Sequence, residues 1–157
     1  MKTKELQLTQ KKIAIIDEAD FDRCFEHRWC LSKGYAASTI NKKQIRLHRF
    51  LLNVNDPLIE VDHINGNPLD NRRCNLRQAT KRQNRANTGK RKNNTSGYKG
   101  VHYTKRRSHL FKPWAAYLGT LGKNRFLGYF ESAIEAAKAY DKAAFEMHGE
   151  FARLNFK

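Results

Sequence analysis

The chain has 157 residues, with 31 Lys and Arg against 15 Asp and Glu, for a formal charge of +16. Like charge at this density on a small body repels itself unless a polyanion neutralises it, so nucleic acid is the leading partner class. The sequence has no apolar run of spanning length, and no signal-peptide core follows Met1-Lys2-Thr3-Lys4-Glu5; the expectation is a cytoplasmic protein with no membrane role and no small-molecule substrate.

In chain order, 12–17 reads as a strand and 18–29 as a short helix. Residues 35–39 and 44–47 form a hairpin turning at Asn41. A short apolar strand from Ile59 ends at Val61. A loop rich in Gly, Asn, Pro and Asp covers 65–71, and 75–79 is extended. Thr80 with Gln83 three residues on is a capping box that opens a helix. Residues 85–96 hold no large apolar side chain and read as a flexible basic linker. Three extended runs, 97–103, 114–118 and 125–130, predict a three-stranded antiparallel sheet. Ser132 with Glu135 caps a second helix, whose stripe of Ala133, Ala136, Ala137, Tyr140, Ala144 and Met147 lets it lie close on that sheet before Gly149 ends it. Phe151, Leu154 and Phe156 are expected to seal the layer.

Charge is unevenly distributed. No Asp or Glu occurs between Asp70 and Glu131, a stretch that includes Arg72, Arg73, Arg77, Lys81, Arg82, Arg85, Lys99, Lys105, Arg106, Arg107, Lys112, Lys123 and Arg125. Solvated surfaces mix both signs, so this track points to phosphate contacts. Cys24, Cys30 and Cys74 are odd in number and lack a C-x-x-C pair, which argues against a disulfide framework and a zinc knuckle. A zinc module built from these and His48 has the wrong spacing.

Four polar residues of the middle segment can carry chemistry: Asp62 and His63 side by side, Asn75 after the loop, and Asn84 in the first turns of the helix. Phosphodiester hydrolysis needs a base for water, a Lewis acid on the phosphate, and a group that holds the base in place. A carboxylate with an amide oxygen supplies hard ligands of the kind Mg²⁺ or Mn²⁺ takes, the rest coming from water and substrate phosphate.

The strings Val61-Asp62-His63-Ile64-Asn65-Gly66-Asn67, Asp70-Asn71-Arg72, Asn75-Leu76-Arg77 and Gln83-Asn84 resemble the HNH homing-endonuclease family in its HNN variant, found in phages and mobile introns. The resemblance covers about 45–87 and includes Leu47-His48-Arg49. It implies a ββα-metal finger with His63 as general base, Asn75 orienting it, and Asp62 and Asn84 as ligands of Mg²⁺ or Mn²⁺. For His48 and Arg49 it implies packing support with a phosphate contact.

Residues from about 93 to 156 resemble the plant ethylene-responsive-factor (APETALA-type) DNA-binding domain through Gly97-Tyr98-Lys99-Gly100-Val101, Trp114-Ala115-Ala116-Tyr117, Leu127-Gly128-Tyr129-Phe130 and the alanine-rich helix. That likeness places a sheet in the major groove of double-stranded DNA, with Lys99, His102, Tyr117 and Phe126 at reading positions. Lys105, Arg106, Arg107, Lys112, Lys123 and Arg125 would lie near phosphates.

The expected fold class is therefore α+β: a ββα-metal finger nuclease domain at 1–87, a basic linker at 88–96, and a small domain of three-stranded sheet packed on one helix at 97–157. The expected protein is a monomeric, metal-dependent DNA endonuclease of a bacterial or phage-infected cell. The alternative is a non-catalytic DNA-binding regulator with a dead finger.

Overall fold

The computed structural model describes residues 2–104, 111–120 and 123–156, and the chain divides into two compact units, 1–84 and 85–157. No described helix is long and apolar enough to cross a membrane.

Unit 1 is built from short antiparallel pieces. Strands β1 (Thr3–Gln7) and β2 (Ile13–Asp17) pair, and β3 (Cys30–Ser32), β4 (Tyr35–Ile40) and β5 (Lys43–Arg46) form a second sheet in that order. The β4–β5 turn places Asn41 and Lys42 at φ of 49° and 61°, the left-handed pair that a tight hairpin of this twist demands. The helix expected over 18–29 is shorter: a single 3-10 turn leads into α1 (Phe21–Phe25), and the chain then leaves to form β3. Trp29 ends that helix by burying its ring and donating its indole N–H to the Cys24 carbonyl at 2.8 Å.

Helix α2 (Leu47–Leu51) begins where the hairpin was expected to continue. Five residues are too few for helical periodicity to register, and only the burial of Leu47 and Leu51 in the core reveals it. Strands β6 (Glu60–His63) and β7 (Leu76–Ala79) pair antiparallel, and α3 (Lys81–Ala86) follows. Both arms of the Thr80–Gln83 capping box are made: Thr80 N–H donates to Gln83 Oε1 and Gln83 N–H to Thr80 Oγ1. The apolar core of Ile16, Cys24, Trp29, Leu47, Leu51, Val61 and Leu76 holds β2, α1, α2 and the β6–β7 ribbon together.

Unit 2 is a three-stranded antiparallel sheet, order β10-β9-β8, from β8 (Val101–Tyr103), β9 (Trp114–Thr120) and β10 (Lys123–Phe130), with α4 (Ala133–His148) packed on one face. Ser132 Oγ caps α4 by accepting from Glu135 N–H at 3.1 Å. Ala136, Ala137, Tyr140, Ala143 and Ala144 are its buried residues. The close approach has a backbone counterpart: Gly100 sits at φ +77°, and a Cβ there would lie 2.1 Å from the Tyr140 ring and 2.7 Å from the Tyr117 carbonyl.

The tail is fastened less by the expected apolar residues, since Leu154 and Phe156 are 38% and 37% exposed, than by Asp141. Its carboxylate accepts from the backbone N–H groups of Asn155 and Phe156. The segment expected to be a linker lies inside unit 2 and is tied down by polar bonds: Asn94 Nδ2 donates to the Tyr98 carbonyl and Ser96 Oγ to the Val101 carbonyl, both at 2.8 Å. Side-chain hydrogen bonding substitutes there for the apolar contacts its composition lacks.

Candidate active site

Strand β6 extends two residues beyond its expected end, so Asp62 and His63 are both paired, with Arg77 and Leu76 respectively. Successive strand residues face opposite sides, and the ribbon therefore has two characters. One face, with Val61, His63 and Leu76, turns to the core; the other, with Glu60, Asp62 and Arg77, is polar. His63, expected just beyond a strand end at Val61, is the last residue of the strand.

The His63 ring is buried and lies 5.0 Å from His48 and 6.2 Å from Tyr35, centroid to centroid, with Nε2 3.4 Å from Asn71 Oδ1. Burial lowers its pKa from 6.5, and the carboxylates of Asp62 and Asp70, with the Asn71 contact, push the other way. Burial dominates, so the imidazole is neutral at neutral pH, the form a general base requires. His48 is pushed further, to about 3, chiefly by burial.

The loop that follows is braced from several directions. Asn75 accepts from Asn65 N–H at 2.9 Å and donates through Nδ2 to Asn65 Oδ1 at 3.0 Å and to the Asp70 carbonyl at 2.7 Å. Strand β2 clips it through Ile15, whose N–H donates to the Leu69 carbonyl and whose carbonyl accepts from Asn71 N–H. Arg73 binds Asp20 in a fork at 2.7 and 2.8 Å while its N–H donates to Asp17. Arg72 forks onto Asp70 and holds that carboxyl below the usual range. Asp17 and Asp20 were not singled out from sequence, because nothing in their local pattern distinguishes a buried brace from a turn residue.

On the polar face, Arg77 Nε and Nη2 donate to Asp62 Oδ2 at 3.0 and 2.9 Å. Asn84, one turn into α3, donates its amide N–H to Glu60, two residues before Asp62 on the same face. Helix and strand thus bring Asn84 to the side of the ribbon that carries Asp62. Among the described residues no group of three or more His, Cys, Asp or Glu side chains clusters for a metal ion. The donor chemistry nevertheless fits a hard divalent cation: a buried carboxylate that already faces a cationic group, and an amide on the same side, with the remaining positions left to phosphate and water. Cys24 does not compete, because burial pushes its thiol up to about 11 and keeps it protonated.

The expected DNA contacts divide. His48 is buried; Arg49 donates to the carbonyls of Ile59 and Asp56; the Arg77 side chain is 14% exposed on Asp62; and Lys99 donates from Nζ to the Ala86 carbonyl. Burial lowers the Lys99 pKa to about 8. His48 and Arg77 are thus largely buried, while Arg49 and Lys99 are half-buried with donors spent on backbone carbonyls. Arg82, Arg85, His102, Lys112, Lys123, Arg125 and Phe126 are exposed, and Arg72 and Arg73 are part-exposed beside their carboxylates. Lys105, Arg106 and Arg107 lie outside the described residues.

The sheet face of unit 2 turned away from α4 carries His102, Tyr117 and Phe126, with Tyr129 in addition. Their rings run in series at 5.9, 5.2 and 4.9 Å. A bulge between Phe126 and Gly128 brings Tyr129 onto this face despite its odd spacing, which is why strict alternation misses it.

Residues 57–86, which span the β6–β7 ribbon and α3, match the HNH endonuclease family. Over its wider length the chain is 30% identical to Uncharacterized HNH endonuclease L560 of Acanthamoeba polyphaga mimivirus, covering 83% of this chain and 67% of that protein. The chain belongs to the HNH endonuclease family, and the protein is a DNA endonuclease. It is also similar to Protein 3.8 of Escherichia phage T7, 36% identical over 60% of this chain and 74% of that one. A separate likeness, 48% identity over 61 residues, is to Ethylene-responsive transcription factor 1 of Solanum lycopersicum; it covers 37% of this chain and 25% of the plant protein. No solved structure matches with comparable significance.

Proposed function

We propose that the chain is a divalent-metal-dependent endonuclease of the HNN variety, from a phage or mobile element, in which β6, β7 and α3 act as a ββα-metal finger and the unit 2 sheet grips double-stranded DNA. The observation that carries the reading is the pairing on one short strand of a buried neutral imidazole, His63, with a buried carboxylate, Asp62, whose face also holds Asn84.

Asp62 and Asn84 would hold Mg²⁺ or Mn²⁺, which supplies charge stabilisation for the phosphorane-like transition state and the leaving oxygen. His63 takes the proton from the attacking water; His48 and Tyr35 pack against its ring and Asn71 lies at Nε2. Asn75 acts one step removed: by fastening Asn65 and Asp70 it fixes the loop leaving His63, and so the direction of the imidazole. Because Asp62 and His63 face opposite sides of the ribbon, the scissile phosphate would lie across its end, where both are within reach.

The DNA grip rests on the exposed cations and on the aromatic ladder His102–Tyr117–Phe126–Tyr129, reached from the sheet resemblance to the plant domain. A single active site per chain fits a monomer that nicks one strand at a time. The test is supercoiled plasmid with Mg²⁺ or Mn²⁺. Wild type should relax it, chelation should stop the reaction, and His63→Ala should bind DNA without cutting; a His63→Ala protein that cuts at the wild-type rate removes the assignment.

A further inference from the structure

An asparagine on a metal site carries a difficulty that aspartate and histidine do not. One end of its amide is a ligand and the other a donor that repels a cation, and the two ends are nearly isosteric. Something must decide which end faces inward. In this chain Asn84 Nδ2 donates to the Glu60 carboxylate, an acceptor that no donor-starved flip can satisfy: the reversed amide would set Oδ1 against a negative oxygen. With Nδ2 turned to Glu60, Oδ1 points to the other side of the planar amide.

The chain delivers this pair by topology. Glu60 is opposite Ala79 in the ribbon register, and Ala79 immediately precedes the Thr80 cap of α3. The helix therefore starts beside Glu60, and Asn84 N–H donates to the Thr80 carbonyl at 3.0 Å, which fixes the backbone from which the amide reaches back. Glu60 is half-buried and stands two residues from Asp62 on the same face of β6.

We infer that Glu60 is a positioning residue of the candidate metal site, holding the Asn84 amide so that its carbonyl oxygen, not its nitrogen, is presented as the ligand. This rests on the reading of Asn84 as a metal ligand, and it assigns Glu60 a task that is conformational rather than ligating. Groups of this kind, hydrogen-bonded to a ligand, typically alter metal affinity by about 10–100-fold.

The experiment is Mn²⁺ binding to the full chain without DNA, followed by calorimetry and by the electron paramagnetic resonance signal of free Mn²⁺, for wild type, Asn84→Ala, Glu60→Ala, Glu60→Gln and the double variant Glu60→Ala/Asn84→Ala. Far-UV circular dichroism establishes that each is folded. Glu60→Ala should weaken Mn²⁺ about 10-fold or more, and Glu60→Gln, whose amide can accept from or donate to Asn84 and so no longer dictates its orientation, should recover only part of it. Glu60→Ala should add nothing once Asn84 is alanine, because the effect passes through that side chain.

If Glu60→Gln binds like wild type, an acceptor-only partner for the Asn84 amide is not needed and positioning is overturned. Equal losses from Glu60→Ala with and without Asn84 overturn it as well. If Asn84→Ala binds Mn²⁺ like wild type, the ligand assignment itself fails; if Asn84→Ala weakens binding and Glu60→Ala does not, that assignment survives and the role given to Glu60 does not.

Discussion

The two units solve the problem of holding a surface in place with opposite chemistry. In unit 1 the working loop is held by polar side chains, Asn65, Asp70, Asn71, Arg73 and Asn75, each bonded to another or to backbone. In unit 2 the sheet is held flat against α4 by side chains of minimal size, Ala116, Ala136 and Ala137 around Val101. A polar network fixes direction and is costly to leave half-made. Small-residue packing fixes distance and tolerates almost no added volume. The first would suit the proposed aiming of a proton acceptor, and the second a platform.

The comparison can be broken at its sharpest point first. His63→Ala should lower kcat for DNA cleavage by about 10²–10⁴-fold, the usual contribution of a general base, while the dissociation constant for DNA stays within about 2-fold; a loss of binding in step with activity would mean the residue is structural. In unit 2, Gly100→Ala combines a left-handed φ with a collision against Tyr140, and should destabilise the unit by about 2–4 kcal/mol. Thermal melting followed by Trp114 fluorescence in a Trp29→Phe background reads this directly.

Asn75→Asp keeps the shape but turns the donor facing the Asp70 carbonyl and Asn65 Oδ1 into an acceptor. The loss should be about 1–3 kcal/mol of unit 1 stability, with kcat falling more than KM rises; chemical denaturation with parallel kinetics separates the two. Smallest is Phe126→Ala, expected to weaken DNA binding by about 1 kcal/mol, or roughly 5-fold, with cleavage chemistry unchanged at saturating DNA. An unaltered affinity in a titration would move the grip elsewhere.

Acidification acts on unit 1 through its histidines. His48 takes a proton near 6.5 when unfolded and near 3 when folded. Below 6.5 the unfolded chain therefore binds more protons, and stability present at neutral pH is lost as pH falls from about 6.5 towards 3. His48→Phe should flatten that dependence in denaturation curves taken across the range. His63, lowered in the same direction, should keep the acid limb of the pH–rate profile below the ordinary histidine value.

Composition and charge were enough to call for a polyanion. The Asp-His pair, the Asn-rich loop and both capping boxes were visible as spacing, because turn residues and caps act locally and leave a local signature. The alanine stripe likewise announced a helix close to a sheet. What tertiary structure alone decided is where side chains go once elements meet. Helix α2 exists because Leu47 and Leu51 find a core, and β6 runs on through His63 because β7 is there to pair with it. Arg49, Arg77 and Lys99, indistinguishable in sequence from the exposed cations, were taken inward by carbonyls and a carboxylate. Glu60 gained its importance from a helix that begins 21 residues later in the chain. Such contacts are long-range, and a linear pattern records which groups are available without recording which of them the folded chain will bring together.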